Sequence, residues 1–373
     1  MLKVLVAPLD WGLGHATRCV PIIKELITQG CTVIIAAAGA QKTILQEEFP
    51  KLSFVEVPGF RVKYGKNRAF TLLKIIFAIP KILIGIKQEN EWLRGFSARE
   101  GLDLVISDNR YGLAGAGVFS VFITHQLAIR TSLGAFADAL LRRMNYGFIR
   151  RFSLCWVPDV AGEENLAGKL SHPARMPGVE VRYIGWLSRL GSEVDGRAGG
   201  PGAEEYDLLV LLSGPEPQRT ILEEMVVRQL GPGMGRVVIV RGLPKGGEGL
   251  TVPGGVVAFD YLSGRELGNV IARSRVVLAR SGYSTVMDLV YLRRSAVYIP
   301  TPGQPEQEYL ALHLEQRGMG VRMRQRDFSL SLALEQAKGL GGGMPGDDKG
   351  LLAAEVKRVL GMLRDQSAVA DLG

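Results

Sequence analysis

The strongest constraint on the fold is a pattern that occurs twice: an unbroken apolar run, a loop of small residues, then a helical stretch. Residues 2–8 (LKVLVAP) run into a glycine loop, and a helical pattern follows over residues 16–29 until Gly30 stops it. A second, β-branched run covers residues 32–38. Runs that are apolar throughout, rather than alternating, read as parallel strands buried on both faces. Strand–loop–helix–strand is the opening of a parallel α/β unit. Further runs at 102–107, 118–124 and 153–157 extend it. The pattern restarts at residues 206–212 (YDLLVLL), with a helix over 218–230 and strands over 236–241, 275–279 and 297–299. The expected class is therefore α/β, as two Rossmann-like, doubly wound parallel sheets. Ligands of such sheets bind beyond the carboxyl ends of the strands, which predicts a site in a cleft between the two domains.

Residues 190–205 (LGSEVDGRAGGPGAEE) are nearly devoid of apolar side chains and read as a linker. The boundaries follow: a first domain over 1–189, a second over 206–350, and a last helix in 351–373 expected to pack back across the domains. A chain of 373 residues suits this arrangement. Cys19, Cys31 and Cys155 form no CxxC pair and have no histidine at metal spacing, so they read as small buried apolar residues in a reducing compartment. No run reaches the roughly 18 uncharged apolar residues of a membrane span. The expected location is cytoplasmic, with a peripheral position on the inner face of the membrane as an extension. Residues 1–190 hold 24 of the 45 Lys and Arg but only 15 of the 37 Asp and Glu, so the net charge of +8 comes from this half. Such asymmetry points to an anionic partner. Nucleic acid is set aside, because only 7% of residues are aromatic and no recognition motif is present.

Four strand-end loops carry candidate chemistry. In Asp10–Arg18 (DWGLGHATR), glycines such as Gly14 allow close approach of a ligand, and His15 is placed as a general base. The third glycine and the acidic partner of a dinucleotide fingerprint are missing. Ser213, Gly214 and Gln218 lie where a strand passes into a helix, a cradle for a diphosphate, with Arg241 ending the next strand. Arg280, Ser281 and Gly282 end another strand, with Ser284, Thr285 and Asp288 on the helix after it; Asp288 suits a ribose diol. Glu306 and Gln307 offer the donors and acceptors that sugar hydroxyls require. Asp108 and Arg110, beyond the strand 102–107, and His125 and Gln126, beyond 118–124, are placed to line an acceptor pocket.

The order GxGHxxR, strand–SG–helix, RSGxxTxxD and GQxEQ resembles the family 28 glycosyltransferases of the GT-B fold, most closely over residues 260–320. That family includes the transferase of N-acetylglucosamine to the lipid-linked peptidoglycan precursor. The resemblance implies an N-terminal acceptor-binding domain and a C-terminal nucleotide-sugar-binding domain. It implies inverting, metal-independent transfer of a hexose or N-acetylhexosamine from a UDP-sugar to a hydroxyl, with no cofactor. Asp288 takes the place of the family's ribose-binding Glu, Glu306 and Gln307 touch the donor sugar, and Leu262, Ser263 and Leu267 hold the uracil. His125 takes the place of an acceptor-site histidine. Departures are the phosphate loop, where Ser213-Gly214-Pro215-Glu216-Pro217 replaces GGSxGA, and the acceptor motif, reduced to His125-Gln126.

Residues 60–87 interleave seven Lys and Arg with aliphatic side chains and contain no acid. Two readings stand: a helix on an anionic bilayer serving a lipid-linked acceptor, or two core helices separated at Pro80, with lysines on the solvated side. Two other functions also stand, a non-hydrolysing UDP-sugar epimerase and an inactive nucleotide-sugar-binding scaffold.

Overall fold

The computed structural model of the protein describes residues 1–10, 12–58, 68–131, 134–190, 205–340, 345 and 350–370, without the side chains of 68–79 and 367–370. The apolar runs become strands of two parallel sheets in two compact units, Met1–Leu187 with Asp347–Gly373, and Ser188–Gly346.

The first unit contains β1 (Lys3–Pro8), β2 (Thr32–Ala36), β3 (Ser53–Val55), β4 (Leu104–Asp108), β5 (Phe119–Ile123), β6 (Leu154–Val157) and β7 (Val181–Tyr183), in the order β3-β2-β1-β4-β5-β6-β7. The order reverses between β1 and β4, and a ligand crevice opens at such a point. The helices are α1 (Leu13–Thr28), α2 (Gly39–Glu48), α3 (Arg68–Glu100) and α4 (Ala135–Ile149). Register places α3 and α4 on one face. Phe122 pairs with Ser107, which pairs with Ala7, so their side chains point the same way. Ala7 packs with Leu93 and Phe96 of α3, and Phe122 packs with Tyr146 and Ile149 of α4.

The second unit contains β8 (Tyr206–Leu211), β9 (Val237–Val240), β10 (Val256–Phe259), β11 (Ser274–Ala279), β12 (Ala296–Tyr298) and β13 (Gly320–Arg322), in the order β10-β9-β8-β11-β12-β13. Its helices are α5 (Gln218–Val227), α6 (Gly264–Ala272), α7 (Tyr283–Tyr291), α8 (Pro305–Gln316) and α9 (Leu330–Ala337). One core joins Leu208, Val210, Leu278 and Val297 of the sheet to Leu222 and Val226 of α5. The last helix, α10 (Leu351–Ala370), belongs to the first unit. There the indole of the fully buried Trp156 donates to Glu355 Oε1 at 3.0 Å, and Arg364 donates to the carbonyl of Gln29 at 3.2 Å.

Several boundaries differ from the sequence reading. The first helix starts at Leu13 rather than residue 16, because Gly12, at φ 81°, turns the chain into it. Pro80 does not divide α3, which runs unbroken for 33 residues. Pro80 itself is exposed, and the backbone stays helical through it although a proline removes one N–H from the ladder. The edge strands β3, β7 and β13 have three residues each, too few to show an apolar pattern. Residues 60–67 and 191–204 lie outside the described residues, so most of the expected linker and the start of the basic segment do too.

Glu355→Ala removes the acceptor of a buried indole N–H. It is expected to cost about 1–3 kcal/mol in urea unfolding, with Glu355→Gln costing less.

Candidate functional site

In the first unit the carboxyl ends of β1, β4 and β5 meet in a buried polar cluster. Gly12 and Gly14 flank the start of α1, and Gln41 of α2 steadies the loop by donating to the carbonyls of Leu9 at 2.6 Å and Gly12 at 2.7 Å. Gly12 adopts φ 81° and ψ 169°, a conformation a side chain resists, so its glycine is needed for the turn itself. His15 and Arg18, three residues apart on α1, share one face. Nδ1 of His15 lies 3.0 Å from Oδ2 of Asp108, at the end of β4. Arg18 Nε donates to the same oxygen at 2.7 Å, and Nη2 of Arg18 bonds Oδ1. Arg18 Nη1 lies 3.3 Å from Nδ1 of His125, just beyond β5.

Charge follows from these contacts. Burial pushes the Asp108 carboxyl upward, but Arg18 and His15 together outweigh it and hold the group at about 2. Burial lowers His15 below its ordinary value; Arg18 and His125 push the same way, and Asp108 opposes without restoring it. His15 is thus neutral at neutral pH, and its side chain keeps 19% exposure, so it can meet a substrate. A neutral imidazole oriented by a carboxylate is the arrangement of a general base.

Asp108 does not line an open pocket as expected: it is fully buried and its oxygens are taken by Arg18 and His15. Arg110 is also turned inward. It pairs with Glu89 of α3 at 2.9 Å and donates to the carbonyl of Pro58 at 3.3 Å. Asn90 donates to the carbonyls of Gly112 and Ala114, and a side chain at Gly112 would collide with Glu89. These contacts clamp the loop after Asp108 to α3. His125 is buried beside Arg18, and the backbone of half-buried Gln126 bonds Thr124 Oγ1 and Asn145 of α4. Gln41, Glu89 and Asn90 carried no role in the sequence reading, and Arg18 entered it only as the last residue of the GxGHxxR pattern. Arg18 alone had a local signal, its place one turn after His15.

In the second unit the expected donor residues divide into two groups. Some brace the strand-end loops from within. Arg280, fully buried, donates to the carbonyls of Ile299, Pro300 and Gln218, and burial brings it down to about 10. Ser281 Oγ donates to the carbonyl of Gln307. The Gln307 amide accepts from Thr301 N at 2.9 Å and donates to Gln304 at 2.7 Å. The Gln218 side chain accepts from Gln325 at 3.2 Å. Arg241 is spent on Glu223 at 2.7 Å and Asp260 at 2.6 Å, so it is a bracket in an ion-pair network rather than an open ligand. Ser263 caps α6 in a reciprocal box with Glu266, and Leu262 and Leu267 are buried beside it. The rest face outward at least in part: Ser213, Gly214, Gly282, Ser284, Thr285 and Glu306. Gly214 adopts φ 100°, which a side chain would resist.

Asp288 is buried and accepts from Ser188 Oγ at 2.6 Å, so its carboxylate ties down residues 188–189 rather than standing open to a ribose. Burial pushes it up to about 6 against the pull of Arg189 and Ser188. Among the described residues no cluster of three or more His, Cys, Asp or Glu side chains could hold a metal ion.

Residues 251–338 match the glycosyltransferase family 28 C-terminal domain, a span containing the loops at 262–267, 280–288 and 306–307. An uncharacterized glycosyltransferase of Methanopyrus kandleri is 24% identical over 331 residues, which cover 84% of this chain and 91% of that one. Among solved structures, the glycosyltransferase of kitacinnamycin superposes with a TM-score of 0.61 at 15% identity, covering 100% of this chain and 97% of its own. MurG of Acinetobacter baumannii gives 0.54 at 13% identity, covering 97% and 99%. SsfS6 of Streptomyces sp. SF2575, solved with thymidine diphosphate, gives 0.56 at 15%, covering 98% and 96%. The two parallel-sheet units thus have the GT-B fold.

The raised Asp288 makes a signed prediction. Its folded value lies above the ordinary 3.8, so its contribution is full below that value and is lost as pH rises through about 6. Asp288→Asn keeps the acceptor for Ser188 without the charge. It is expected to gain stability relative to the parent between pH 4 and 7, on the order of 2 kcal/mol, in thermal melts across that range.

Proposed function

Taking the chain as a glycosyltransferase of the GT-B type with a family 28 C-terminal domain, we propose that it transfers a hexose or N-acetylhexosamine from a UDP-sugar to an acceptor hydroxyl, with inversion and without a metal. The observation that carries the reading is His15 held by a buried, ionised Asp108 at the carboxyl edge of the first sheet. In this reading His15 removes the proton of the acceptor hydroxyl as the oxygen attacks the anomeric carbon. The C–O bond to the diphosphate breaks, and the UDP leaves with the electron pair. One displacement from the opposite side inverts that centre. Asp108 stabilises the imidazolium that forms. Ser213 and Gly214, with the first turn of α7, supply donors for the diphosphate. Glu306 meets the sugar hydroxyls, while Arg280 and Gln307 hold these loops in place.

A lipid-linked acceptor and an anionic membrane surface belong to the same proposal. On α3, Leu83 and Ile84 are 45% and 57% exposed, beside exposed Lys81 and Lys87. The buried residues of α4 are confined to Asn145, Tyr146 and Ile149 near its end, while Phe136 is 86% and Leu140 52% exposed, with Arg143 and Arg150 outward. Apolar side chains rimmed by arginine and lysine suit a bilayer interface with anionic headgroups. Among the described residues no helix is long and apolar enough to cross a membrane.

Three measurements test the proposal. UDP at 100 times its dissociation constant should stabilise the protein by about 2.7 kcal/mol, unchanged by EDTA, and His15→Ala should lower kcat by about 10²–10⁴-fold. A win for dTDP or GDP overturns the donor; conversion of UDP-sugar to its epimer without acceptor overturns the transfer. Vesicles containing phosphatidylglycerol should pellet the protein at low salt, and Phe136→Glu with Leu140→Glu should release it.

A further inference from the structure

One ring nitrogen in the first unit is claimed twice. Nδ1 of His15 lies 3.0 Å from Oδ2 of Asp108 and 2.8 Å from Nη2 of Arg18. A nitrogen that donates its proton to a carboxylate cannot also accept one from a guanidinium. The two contacts therefore belong to two tautomers. With the proton on Nδ1, His15 donates to Asp108 and Nε2 carries a lone pair. With Nδ1 bare, His15 accepts from Arg18 and the proton sits on Nε2. Only the first form can take a proton through Nε2.

Arg18 is well placed to hold this balance. Its side chain is 3% exposed, and it grips both oxygens of Asp108 through Nε and Nη2. The ionisable groups around His15 come from three elements: Arg18 on α1, Asp108 on β4 and His125 beyond β5. Cys19, also on α1, has its thiol 4.0 Å from Asp108 Oδ2 and is kept neutral there by burial.

We propose that Arg18 is a positioning residue that competes with His15 for Asp108, and so sets the fraction of His15 in the tautomer able to act as a base. The inference rests on the reading of His15 as the base of the transfer. It has a consequence for timing. A hydroxyl arriving at Nε2 as a donor binds only the form whose Nε2 is bare, so the acceptor draws His15 away from Arg18 and onto Asp108. The base form is then enriched when its substrate is present.

The chain has four histidines, so long-range ¹H–¹⁵N spectra can report the His15 tautomer directly. In the parent protein at pH 8 both tautomers are expected. In Arg18→Gln the Nδ1–H form should dominate, and the acid limb of the kcat/KM profile should move up by about one pH unit, since a cation has left the ring. Arg18→Lys keeps the charge without the planar fork. It should leave the acid limb in place while still shifting the tautomer, and it serves as the test if the Gln variant does not fold. An unchanged tautomer ratio in either folded variant overturns the proposal. Full turnover in His15→Gln would instead overturn the base reading, and the spectra would still decide the role of Arg18.

Discussion

The first unit depends on one buried ion pair, Arg18 with Asp108. Neither group is open to water, and each would be costly to bury alone. Removing one partner of such a pair typically costs about 3–5 kcal/mol, because the other is left charged and unpaired. Asp108 ends β4, and Arg18 lies on the helix that follows β1, so the pair ties together the two strands at which the sheet order reverses. His15 meets both side chains and His125 meets Arg18. The pair thus holds the fold and the site geometry at once.

At the loops after β11 and β12 the second unit solves a related problem with backbone carbonyls. Arg280 is fully buried, and its two Nη groups donate to three carbonyl oxygens, those of Ile299, Pro300 and Gln218. Carbonyl dipoles at the ends of β12 and the start of α5 stand in for a counter-ion. Gln307 repeats the device with a neutral amide. In the proposed role of these loops as diphosphate binders, bracing from beneath keeps backbone donors preorganised, so they need not reorient when a ligand arrives.

Much of the site was legible in the sequence because it lies in short, local patterns. An apolar run ending in small residues marks a strand end, and polar residues there are available for chemistry. Residue type was a poorer guide to orientation. Asp108, Arg110 and Arg241 occupy strand-end positions and Asp288 the second turn of a helix after one, all suited to a ligand, yet each is turned into the protein and partnered there. Their partners lie far away in sequence: Asp108 is 90 residues from Arg18, and Asp288 is 100 from Ser188. Local pattern carries no information about such pairings.

The division between the two levels has a physical cause. By itself the sequence determined the α/β class, the repetition of the parallel unit and the strand-end positions of the candidate loops, with His15 in the first of them. These follow from hydrophobic periodicity and from the backbone freedom of glycine, both local properties. Only the tertiary structure decided which charged side chains are buried and partnered. It alone made Arg18 the link between His15, Asp108 and His125, and left the apolar side of α4 exposed. Burial and ionisation depend on what long-range packing brings within a few ångströms, and that is a property of the folded chain.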